Sequence, residues 1–111
     1  MNTPANTAST VLRELHPPMD RVIAAISSPV RWSILGELCG TGPLIVVELA
    51  DRLGYTPSLI SKHMAVLLKA GMVTVNRARQ YQIPAHFVMS AAERHVDYGH
   101  CLLRLPGAKA A

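Results

Sequence analysis

The sequence predicts a mainly α-helical domain carrying one small β-hairpin, and three observations carry that prediction. Half of the 111 residues are hydrophobic, yet only five are Phe, Trp or Tyr, so the core is aliphatic and suits packed helices. Ser28-Pro29 and Thr56-Pro57 place a hydroxyl cap before a first-turn proline, and glycines follow the helical stretches at Gly40, Gly54 and Gly71. Helix ends favour that asymmetry. Between Gly71 and Pro84 the pattern changes to β-formers around a short polar tip. The length suits one domain with a real core.

Taken in order, residues 1–10 (MNTPANTAST) carry no side-chain charge and read as a flexible tail, with a second tail at 106–111. A helix is expected from about Ser9 to His16, interrupted by Pro17 and Pro18. A second piece, about Met19 to Ile26, puts Val22, Ile23 and Ile26 on one face. The third begins with Ser28 as N-cap and Pro29 as first residue, carries Val30, Ile34, Leu35 and Leu38 at helical spacing, and stops at Gly40–Pro43. A short helix, about Ile45 to Leu53, turns Val46, Leu49, Ala50 and Leu53 inward, with Gly54 placed for a left-handed cap. Thr56 then caps a helix that runs to about Ala70 and buries Ile60, Met64, Leu67 and Leu68. Met72–Asn76 and Gln80–Ile83 are the expected strands, within a hairpin spanning about 72–84 and tipped by Arg77-Ala78-Arg79. A last helix is expected from about Ala85 to Leu105. Its Phe87, Val88, Ala91, Ala92, Val96, Leu102, Leu103 and Leu105 offer more apolar surface than one face needs, which predicts cover by a second copy.

Charge narrows the function. The net charge is +4, and no Asp or Glu occurs between Arg52 and Glu93, an interval holding Arg52, Lys62, Lys69, Arg77 and Arg79 with His63 and His86. An acid-free basic stretch within a small domain makes one side positive and suits a polyanion. The two helices on either side of Gly54-Tyr55-Thr56 form a helix-turn-helix, whose second helix enters a major groove by its N-terminal end. Ser58, Ser61 and Lys62 share one face there, opposite Ile60, Met64 and Leu67. Small hydroxyls approach base edges closely, and a lysine suits phosphate. The basic hairpin beside this helix reads as a wing whose Arg77 and Arg79 reach the backbone or a minor groove.

With those residues in view, 19–83 resembles the ArsR family of bacterial winged-helix repressors. The matching phrases are Pro29-Val30-Arg31-Trp32-Ser33-Ile34-Leu35, Glu48-Leu49-Ala50-Asp51-Arg52-Leu53-Gly54, Ser58-Leu59-Ile60-Ser61-Lys62-His63-Met64-Ala65-Val66-Leu67 and Ala70-Gly71-Met72-Val73. The resemblance implies a winged helix-turn-helix over residues 11–105 that dimerises through its N- and C-terminal helices and binds a palindromic DNA operator, with release by an effector. Thr56, Ser58, Ser61, Lys62 and His63 would be the recognition-helix contacts, and Arg77 and Arg79 the wing contacts. The hairpin departs from the family in being shorter and in lacking a tip glycine.

Sensor chemistry is thin. Ile45, Val46 and Val47 stand where the family's arsenic-site cysteines would be. On a helix, Asp97, His100 and Cys101 would share a face and form a weak metal candidate. Cys39 and Cys101 are candidates for a redox pair, after the redox-responsive members. The sequence carries no Gly-rich phosphate loop and no nucleophile–base set, so neither an enzyme nor a cofactor is expected. The longest apolar run, Leu44–Val47, is too short to span a bilayer, and with no signal-peptide pattern the reading is cytoplasmic. The expected partners are double-stranded DNA and a second copy. The alternative is a winged-helix module for protein–protein assembly, which would have no need of Lys62, Arg77 and Arg79 on an acid-free face.

Overall fold

Residues 16–107 are described by a computed structural model of the chain. The expected tail at 1–10, the expected first helix up to Leu15 and residues 108–111 lie outside the described residues. Helix α1 spans Met19–Ala25, α2 Pro29–Thr41, α3 Val46–Leu53 and α4 Pro57–Ala70. Ser28 and Thr56 cap α2 and α4 as expected, each hydroxyl accepting the N–H three residues on. Gly54 and Gly71 take the left-handed conformation that ends α3 and α4.

Helix α1 buries Val22 and Ala25 against α4, while Ile23 is 52% exposed and Ile26 only partly buried. The expected face of Val22, Ile23 and Ile26 is therefore displaced. A seven-residue helix presents one narrow stripe, and tertiary packing selects the i, i+3 pair. Its last carbonyls would be orphans. Arg31 satisfies those of Ala24 and Ala25, and the Trp32 indole N–H that of Ile26, so the start of α2 locks the joint.

The core gathers Ile34, Leu35 and Leu38 of α2, Leu49 of α3, and Ile60, Met64 and Leu67 of α4. Strands β1 (Thr74–Val75) and β2 (Tyr81–Gln82) form the antiparallel hairpin. Leu44 exchanges both backbone hydrogen bonds with Tyr81, at 3.0 and 2.8 Å, which ties the hairpin to the segment before α3. Among the described residues no single helix is long and apolar enough to cross a membrane.

Beyond Pro84 the expected helix at 85–105 is absent. One 3₁₀ turn, Ala85–Phe87, leads into β3 (Val88–Ser90), β4 (His95–Asp97) and β5 (Leu102–Arg104), an antiparallel sheet in that order. Buried Val96 and Tyr98, like Leu103 and Leu105, stand two residues apart. On a helix such pairs would point to nearly opposite sides; on strands they share one face. Gly99, at φ 97°, and His100 make the two-residue connection, where Tyr98 N–H donates to Cys101 O at 3.0 Å. Glycine first in such a turn is what the hairpin geometry demands. Tyr98, fully buried, donates its hydroxyl to Met72 O at 2.9 Å, joining the sheet to the end of α4.

Arg94 fastens the sheet to α2. Its guanidinium lies over Gly40, where a Cβ would collide with it, as a Cβ at Gly36 would with Pro106 O; it donates to Pro106 O at 3.1 Å and stands 3.8 Å from Glu37 Oε1. The apolar residues predicted to cover a partner as a helix thus divide differently. Phe87, Val96, Leu103 and Leu105 close the monomer's own core, and Leu102 faces out. Among the described residues there is no C-terminal helix to serve the expected dimer interface.

Candidate nucleic-acid interface

Helix α4 carries the exposed polar end that the sequence predicts. Ser58, Ser61 and Lys62 are exposed on one face while Ile60, Met64 and Leu67 are fully buried on the other. Leu59 N–H donates to Thr56 Oγ1 at 3.2 Å, so the hydroxyl of Thr56 closes the first turn and holds Ser58 in place.

His63 sits differently. It is partly buried on the flank of α4, and Arg31 Nη1 lies 3.0 Å from its Nδ1. Because a guanidinium only donates, Nδ1 is the acceptor and the ring is neutral. Burial, then the charges of Arg31 and Lys62, hold its pKa below the ordinary histidine value. His63 therefore braces the recognition helix against α2 rather than joining the exposed face.

The hairpin tip is built by Asn76. Its Oδ1 accepts from Ala78 N at 2.9 Å and Gln80 N at 3.0 Å, its Nδ2 donates to Gln80 Oε1 at 3.0 Å, and its backbone O accepts from Arg79 N at 3.0 Å. Arg79 then turns into the left-handed region at φ 62°. This is a three-residue loop with a left-handed third residue, a position where glycine is usual. The missing tip glycine is thus replaced by a strained arginine. Arg77 and Arg79 are both exposed.

Recognition helix and wing meet across one cleft of about 720 Å³, to which Ser61 contributes from α4, Arg77 and Arg79 from the tip, and Ile45, Val46 and Val47 from the start of α3. Its only charged lining residues are the two arginines. Sequence reasoning missed that the start of α3 forms the floor. The Leu44–Tyr81 bridge brings it there, and no local pattern announces a single pairing across that distance.

The sensor candidates fare otherwise. With 85–105 in strands, Asp97, His100 and Cys101 share no helix face; Asp97 Oδ1 accepts from Gly99 N at 2.8 Å. Among the described residues no three His, Cys, Asp or Glu side chains are grouped to hold a metal ion. Cys39 and Cys101 are both free thiols. Burial, partly offset by Arg94, pushes the Cys39 thiol up, and burial and Asp97 push Cys101 up.

Comparison with known proteins agrees with this geometry. A family model described as a helix-turn-helix domain matches residues 26–76. Among solved structures the chain is similar to HlyU from Vibrio cholerae, at 27% identity and a TM-score of 0.50, covering 73% of this chain and 80% of that one. No curated protein sequence matches it. The matched segment begins at the joint of α1 and α2 and ends at the wing, and the chain carries a winged helix-turn-helix domain.

Proposed function

We propose that this protein is a sequence-specific DNA-binding transcription regulator that acts as a homodimeric repressor on a palindromic operator. One observation carries the reading: Ser61 of the recognition helix and Arg77 and Arg79 of the wing line a single cleft that contains no acidic side chain. Ser58 and Ser61 approach base edges in the major groove, Lys62 takes a phosphate, and the wing arginines follow the adjacent backbone or minor groove. Thr56 and His63 hold the helix that presents them.

A two-fold dimer doubles these contacts and reads half-sites about one helical turn apart. His16, before α1, lies beside the sheet, its ring centroid 6.2 Å from that of Phe87 and 6.5 Å from that of His100. We assign the second copy to this end of the molecule, where His16 meets Phe87 and His100 and Leu102 is 68% exposed. Selection of duplexes from a random pool, with the mass of the complex measured alongside, tests the reading. The expected result is an enriched two-fold sequence carrying two chains. No enrichment at low ionic strength refutes it.

A further inference from the structure

We propose that the groove between α1 and the C-terminal half of α4 binds a small organic anion with an apolar body, of the medium-chain carboxylate class. The groove has a volume of about 450 Å³ and shares no lining residue with the wing cleft. That volume is in the range of small-molecule sites. Three cations, Arg21, Arg31 and Lys69, stand around a floor that includes Ala24, Ala25 and Val66, and no acidic side chain lines it. The alanines leave the room that larger side chains would fill.

The two guanidinium groups are held in place before any ligand arrives. Arg21 Nη1 donates to Lys69 O at 3.0 Å, which pins the α1 guanidinium across the groove to α4. Arg31 is fixed by the carbonyls of Ala24 and Ala25 and by His63. Those partners leave its charge uncompensated, and among the described residues none of the three cations enters an ion pair. A preorganised guanidinium loses little entropy on meeting a carboxylate. The apolar floor decides the class of ligand. A duplex backbone offers phosphates and sugars, which gain nothing from Val66 and the alanines, whereas an alkyl or aryl body removes that surface from water.

The full chain titrated with the fluorescent anion 8-anilinonaphthalene-1-sulfonate provides the test, with displacement by octanoate, octylammonium and inorganic phosphate. Saturable enhancement is expected, reversed by octanoate and by neither of the others. Lys69→Glu, at an exposed position, should weaken octanoate displacement about tenfold or more. Ala24→Trp, also at an exposed position, should fill the floor and abolish it. If Ala24→Trp impairs folding, Lys69→Glu decides. Displacement by octylammonium as strong as by octanoate, or affinity unchanged in a folded variant, overturns the proposal. So does a Lys69→Glu variant that loses duplex affinity while keeping the dye, which would assign the groove's cation to the DNA backbone.

Discussion

Arg79 holds a left-handed backbone at the tip of the wing, where a residue with a side chain carries a cost of about 1–2 kcal/mol. Arg79→Gly should therefore leave the melting temperature unchanged or raise it while weakening duplex binding. Thermal unfolding and a gel-shift titration on the same sample separate the two effects. Lys62, exposed beside Ser58 and Ser61, contributes a charge without sequence information. Lys62→Ala should weaken binding to all duplexes about equally and lower the salt slope by about one, whereas Ser58→Ala or Ser61→Ala should change sequence preference. His63 gives a pH dependence of defined sign. Its folded pKa lies below the ordinary 6.5, so as pH falls below that value the unfolded chain takes up the proton first and stability is lost toward the folded pKa. His63→Asn, which keeps an acceptor near Nδ1, should flatten that part of the profile of melting temperature against pH.

At the scale of the element, α4 is the part whose rigidity matters most. Thr56 supplies its N-cap and Gly71 its left-handed end, so both termini are closed by residues the sequence displays. Thr56→Ala removes the hydrogen bond to Leu59 N–H and should cost about 1 kcal/mol. Because Ser58 and Ser61 lie within the first turns, the same change should also reduce discrimination between related duplexes, measurable by competition binding. The helices were legible because their stop and start residues act locally. The 85–105 segment was misread because its apolar residues satisfy a helical count loosely. The decisive signs, Gly99 beside His100 and the alternation Val96, Tyr98, are short and depend on which neighbours they meet.

Across the whole molecule, polar attachments add to the buried apolar contacts of Phe87, Val96, Leu103 and Leu105 in holding the C-terminal sheet on the helical core. Arg94 lies on the bed of Gly36 and Gly40 between Glu37 and Pro106 O, and Tyr98 reaches Met72 O. Arg94→Ala should cost about 2 kcal/mol, since it removes a hydrogen bond from a charged donor and the contacts of a long side chain. Melting checks the magnitude, and faster amide exchange confined to 88–104 would localise it. Sequence selection should survive if the sheet serves only assembly, while the mass of the DNA complex should fall toward one chain.

The sequence alone determined the helix boundaries from Pro29 to Gly71, the exposed serine–lysine face, and a cationic hairpin following it. Each follows from rules acting over a few residues: cap hydroxyls, proline at the first turn, left-handed glycine, and the period of burial. Only the tertiary structure decided that 85–105 forms strands, that His63 answers to Arg31, and that Arg21, Arg31 and Lys69 line one open groove. These depend on contacts between residues far apart in the chain, such as Tyr98 with Met72 and Arg31 with His63, which compete with local preference and win through burial.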